Sequence, residues 1–106
     1  MDAERSRLSL LGRRLPPAFV RRVVVLAPGQ TRVYDETEWR GALVVLEHGQ
    51  IELEGLDGSL HSFGRGDILW LERLPLRALH NRGHRPAVLV AISRREAKNL
   101  SEKGGV

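Results

Sequence analysis

Residues 41–72 read GALVVLEHGQIELEGLDGSLHSFGRGDILWLE, and this stretch decides the fold. GALVVLEH is an apolar run, QIELEGL alternates apolar and charged residues, and LDGSLHSF carries an Asp-Gly hairpin signal. GRGDILWLE opens on Gly and Asp and runs into a further strand. No helical period lies between these pieces. Short strands separated by Gly-containing turns at this spacing predict an all-β barrel or sandwich.

The flanks extend the same pattern. Upstream, AFVRRVVVLA (residues 18–27) reads as a strand, and its apolar run from Val23 to Ala27 suits cover on both faces. Pro28-Gly29 makes a turn, a short polar strand reaches about Asp35, and Asp35-Glu36-Thr37-Glu38 reads as an acidic loop. Downstream, ERLP bends the chain, LRALHNR forms a strand from about residue 76, and Asn81 to Pro86 form a loop. AVLVAISR (87–94) is the last strand and again reads as buried on both faces. The expectation is one domain of about eight strands at 19–94. A short N-terminal arm (1–18), stopped by Pro16-Pro17, precedes it, and a flexible C-terminal tail (95–106) follows.

Composition narrows the function classes. A chain of 106 residues that is 42% hydrophobic can bury one core without staples. The 17 basic against 13 acidic residues leave a net charge of +4, but the arginines are scattered, and the five aromatics are not interleaved with them. Nucleic acid is therefore not the expected partner. No apolar run approaches the roughly 20 residues of a membrane span, and LSLL is too short for a signal-peptide core. The absence of cysteine removes disulfides and thiolate chemistry. A cytoplasmic location is the default reading.

Three pieces together resemble the cupin superfamily. Pro28-Gly29 ends a strand, Val44-Val45-Leu46-Glu47-His48-Gly49 is similar to the Val-Leu-Glu-Gly that closes the first cupin motif, and Gly66-Asp67 before Ile68-Leu69-Trp70-Leu71 resembles the opening of the second. Asn81-Arg82-Gly83 and Pro86 continue the likeness toward the last strand. The resemblance spans residues 24–94 and implies a cupin-type barrel, or jelly roll. Metal-binding cupins hold a divalent ion with two His and one Glu from the first motif and one His from the second. The matching positions here fall near Tyr34, Glu36 and Gly41, and then on Arg77. A guanidinium has no lone pair for a cation. Counting from Pro75 with three residues inserted puts His80 there instead, which still leaves a poor ligand set. The resemblance thus implies a small barrel lacking most metal ligands, with no metal and no cofactor expected.

Six residues stand out as candidates. On a strand, Arg77, Leu79 and Asn81 share one face, which the resemblance turns toward the barrel mouth. Arg77 either clamps a carboxylate or phosphate with its planar fork or closes an ion pair with Glu47, Glu72 or another carboxylate. Tyr34 and Trp39, which flank the acidic loop, and Glu36 within it are ligand contacts, with rim packing or a dimer contact as the alternative for the two aromatics. His80 and Tyr34 are candidate acid/base groups. His48, His61 and His84 read as solvated or hydrogen-bonded, and Trp70 as core. No Gly-x-Ser-x-Gly elbow supports a serine nucleophile.

The reading that results is a metal-free binding module for a small anionic ligand at the barrel mouth. The alternative is a cupin-type enzyme (isomerase, cyclase or dioxygenase), metal-independent or with a reduced metal site. A homodimer paired through the edge strand AFVRRVVVLA is also expected.

Overall fold

In a computed structural model, residues 15–95 are described and form eight strands and one helical turn. In chain order these are β1 (Phe19–Leu26), β2 (Thr31–Val33), α1 (Glu36–Trp39), β3 (Ala42–His48), β4 (Gln50–Gly55), β5 (Leu60–Gly64), β6 (Ile68–Trp70), β7 (Leu76–His80) and β8 (Ala87–Arg94). Most of the expected arm and all but the first residue of the expected tail lie outside the described residues. Among the described residues, no helix is long and apolar enough to cross a membrane.

The strands form two four-stranded antiparallel sheets, one in the order β1-β8-β3-β6 and the other β2-β7-β4-β5. Alternation decides which side chains meet between them. In the first sheet Val44 lies opposite Ala91 and Leu69; in the second, Leu53 lies opposite Leu79. These inner faces, with Leu26, Leu46, Leu71 and Leu89, make one core, to which α1 adds Trp39. Each such leucine stabilises the fold by roughly 1.5–3 kcal/mol through burial.

The acidic stretch is not a loop. Asp35 caps the helical turn, its Oδ1 accepting from Thr37 N at 3.0 Å. This is the ordinary work of an N-cap carboxylate.

The first sheet is apolar on both sides, and there two expectations fail. Its outer face carries the row Val23, Val90, Val45 and Ile68, and beside it Ile92, Leu43 and Trp70. Val23 and Val25 are about half exposed (47% and 52%), so β1 is covered on one face only. Trp70 is 53% exposed and not core. In β6 alternation sends Leu69 inward against Val44 and Trp70 outward beside Leu43.

Connections gather at two ends. The β2–β3 segment with α1, the β4–β5 hairpin and the β6–β7 turn lie at one end, the mouth. The β1–β2, β3–β4, β5–β6 and β7–β8 loops lie at the other. At that opposite end Gly49, with φ +80, lies so close to the β7–β8 loop that a Cβ would stand 2.6 Å from Pro86 O.

Candidate functional site

Two arginines enter the barrel from its inner faces. Arg22 lies opposite buried Ala91, and Arg32 lies opposite buried Leu79. Helical turn α1 delivers one carboxylate to both. Arg32 Nε donates to Glu38 Oε1 at 3.2 Å and its Nη2 to Oε2, closing a bidentate fork. Arg22 Nη1 lies 3.3 Å from Glu38 Oε2, and its Nη2 donates to the Glu38 carbonyl at 2.6 Å. The hydrogen bond to Glu38 holds the Arg32 guanidinium above its ordinary range, against a smaller opposing effect of burial. The Arg22 guanidinium also sits 5.1 Å from the centroid of the Trp39 ring, a cation-over-ring contact. Trp39 is fully buried, and its Nε1 finds no hydrogen-bond partner.

Beside this triad, Tyr34 Oη lies 2.9 Å from Glu36 Oε1 and 3.0 Å from Leu71 O, two acceptors for one phenolic hydrogen. Burial, and then Glu36, push the Tyr34 phenol up to about 12. That moves it away from neutral pH, so Tyr34 is poorly matched to acid/base work there. An open depression of about 600 Å³ is lined by Arg32, Val33, Tyr34, Asp35, Glu36 and Glu38. Three carboxylates surround its one guanidinium.

Tyr34, Glu36 and Trp39 therefore come together, with Trp39 in the core rather than at the surface. Arg77, His80 and Asn81 do not join them. Arg77 pairs with Glu54, Nε to Oε2 at 3.4 Å, and its Nη2 donates to Leu56 O at 3.0 Å. The ion pair, not a free clamp, describes this residue. His80 is held on the outer face of the second sheet, with Nδ1 2.8 Å from Thr31 Oγ1 and Nε2 2.8 Å from Glu54 Oε1. Asn81 is 1% exposed; its Nδ2 donates to Leu26 O and Arg85 O, and its Oδ1 accepts from Gly83 N. Arg77 and Asn81 share a parity, but four residues of strand separate them by about 13 Å, one toward each end. They cannot line one mouth.

The interior place does not fit a divalent cation. Among the described residues, no three His, Asp or Glu side chains stand where they could share a metal ion. Arg22 and Arg32 bring permanent positive charge to the inner faces instead.

The shape matches known structures although the sequence does not. A Cupin 2 conserved barrel domain protein from Salinispora arenicola superimposes with a TM-score of 0.59 at 19% identity, over 89% of this chain and 79% of that one. The chain has a cupin fold. A cupin superfamily sugar phosphate isomerase from Silicibacter pomeroyi gives a TM-score of 0.55 at 22% identity over 74% of this chain. This chain spans about half (52%) of that isomerase's length. A Klebsiella pneumoniae protein with a double-stranded β-helix domain gives 0.57 at 18% identity, over 77% of this chain and 71% of that one. No family model matches the sequence, and no curated protein matches it. At these identities the likeness establishes the cupin fold alone.

Proposed function

We propose that this cupin barrel is a metal-free binding module for a small anionic ligand, taken at the mouth by Arg22 and Arg32. One observation carries this reading: two inward guanidinia converge on a single carboxylate, Glu38. Glu38 then acts as an internal stand-in for the ligand. A carboxylate or phosphate that displaces it meets two guanidinia. Competition from Glu38 and the neighbouring Asp35 and Glu36 keeps affinity low in the resting protein. Calorimetric titration with a panel of small organic acids and phosphates tests the idea. Glu38→Gln should bind a ligand at least about tenfold tighter than the native chain, the scale of one charge-assisted hydrogen bond. Arg32→Ala should abolish binding. A Glu38→Gln protein that takes up no anion more tightly than the native one sinks the reading.

A second reading, a metal-independent enzyme, has one specific observation in its favour. The Thr31–His80–Glu54 chain aligns a hydroxyl, an imidazole and a carboxylate, which is how a general base is oriented. Any turnover should disappear in His80→Gln and survive in Tyr34→Phe. Turnover indifferent to His80 removes this reading.

The homodimer is proposed as well. β1 is an edge strand, and the outer face of its sheet exposes Val23, Val25, Leu43, Ile68 and Trp70 to at least 41% each. An exposed apolar surface of this kind meets a second copy of itself across a twofold axis. Sedimentation at tens of micromolar should give a dimer that Trp70→Glu converts to a monomer; a native monomer contradicts it.

A further inference from the structure

We propose that the end of the barrel opposite the mouth is a binding site for a phosphate monoester group, gripped by Arg65 and Arg85. The argument starts from charge pairing. Arg22 and Arg32 share Glu38, Arg40 meets Glu36, Arg73 meets Glu72, Arg77 meets Glu54, and Arg82 meets Glu52. Arg94 lies over the Phe19 ring, Arg95 donates to Pro17 O, and Arg21 also has a partner. Among the described residues, this leaves Arg65 and Arg85 as the arginines whose guanidinium makes no hydrogen bond, ion pair or ring contact.

These two are brought together. Arg65, from the β5–β6 loop, and Arg85, from the β7–β8 loop, both line an open basin of about 440 Å³ and the smaller one adjoining it. His84 stands on the wall of the first and His48 on that of the second. No carboxylate lines either basin. Of the nearby acids, Asp67 turns its Oδ2 back onto Gly64 N at 2.8 Å, and Glu47 is buried and has a partner of its own. Two like charges left facing one basin repel each other, and a bound dianion removes that repulsion. A carboxylate occupies one fork; a phosphate monoester has oxygens and charge enough for two. The basin's volume suits a small phosphorylated molecule.

The loops are also held in place before any ligand arrives. Gly49 packs against Pro86 and Ala87 closely enough to exclude a side chain, locking the β3–β4 turn to the β7–β8 loop. Buried Asn81 fixes the same loop by donating to Arg85 O and accepting from Gly83 N. Asn81 is thus a positioning residue for Arg85. Glycines 49, 64 and 83 along the basin bring bare backbone to its wall. Pre-organisation of this kind lowers the entropy lost on binding. The site is independent of the mouth and stands or falls separately from it.

The test is titration of the ¹⁵N-labelled native chain with phenyl phosphate at constant ionic strength. Resonance shifts should concentrate at Gly49, at Gly64 to Gly66 and at Gly83 to Arg85. Arg65→Ser and Arg85→Ser should each weaken binding about tenfold, and the pair together about a hundredfold. Arg82→Ser, which removes a neutralised arginine from the same loop, should change it less than about threefold. A parallel sedimentation with phosphatidylcholine vesicles, with and without phosphatidate, identifies the source of the group. Capture by phosphatidate assigns a lipid headgroup, and phenyl phosphate binding alone assigns a soluble ester. No binding of either probe overturns the proposal. So does an Arg82→Ser loss as large as that of Arg65→Ser, which would mean diffuse charge rather than a site.

Discussion

The two ends of this barrel use arginine in opposite ways. At the mouth, Arg22, Arg32 and Arg77 are each matched to a carboxylate, two of them to the same one. At the other end, Arg65 and Arg85 face a shared basin without a counter-charge. A neutralised arginine takes a ligand only by giving up its carboxylate, and removing it strands a partner. An arginine without a partner does nothing for the fold and is available to something else. The two ends therefore differ in what an anion must displace, the Glu38 carboxylate at the mouth and no carboxylate at the other end.

The largest effect should come from the residue that shapes the unneutralised end. Gly49→Ala meets two penalties, a left-handed backbone at φ +80 and a Cβ 2.6 Å from Pro86 O. Together these should cost about 3 kcal/mol in urea unfolding. The variant should also weaken phenyl phosphate binding at temperatures where it remains folded. If it loses nothing, the loops carrying Arg85 are not locked, and the contrast between a wired end and a waiting one fails.

At the mouth, Tyr34 offers a test that needs no ligand. Its phenol is pushed up to about 12, above its value of about 10 in an unfolded chain, so the neutral form favours folding. That stability is whole below pH 10 and is lost as pH rises through 12. Because Tyr34 is the chain's one tyrosine, ultraviolet absorbance follows it alone. The folded protein should titrate near 12 and the urea-unfolded chain near 10, and the fall in stability over this interval should be absent in Tyr34→Phe. A folded midpoint near 10 would show that Glu36 and Leu71 do not hold the phenol.

These outcomes bear on what could be read beforehand. All eight strands were legible because each is bounded by Gly, Pro or Asp and carries β-branched or alternating residues. The helical turn was legible too and was missed: Asp35 with Glu38 three residues on is a capping pattern, but four residues hold no apolar period to announce it. Trp70 misled because both faces of its sheet are apolar, so alternation cannot say which side is the core. The candidate site was half legible. Parity groups Arg77 with Asn81, but Arg77 reaches Glu54 and Asn81 reaches Leu26 O, so a shared parity gives neither a shared end nor shared partners. Arg22, Arg32 and Glu38 meet only once β1 pairs with β8 and β2 with β7. Those long-range registers are not written in any local stretch. Arg65 and Arg85 stayed hidden for another reason, since being unpaired is a property of the whole charge arrangement.

Breaking the mouth's ion pairs should have a moderate effect. Glu38→Ala leaves Arg22 and Arg32 without their carboxylate, and both side chains are more than a third exposed, so water screens much of the loss. About 1 kcal/mol of destabilisation is expected, with the larger share at low salt. The matching change at the opposite end should do least of all. Arg65→Ser with Arg85→Ser removes two charges that have no carboxylate to strand, so stability should stay within about 0.5 kcal/mol of native. Relief of their mutual repulsion sets the sign, a slight gain at low salt that vanishes as salt rises. The same double change should weaken phosphate binding about a hundredfold. A variant that is as stable as the native chain yet weak in phosphate binding is what distinguishes an arginine with no carboxylate to hold from one that shares a carboxylate with the fold. A loss of stability as large as that of Glu38→Ala would erase the distinction.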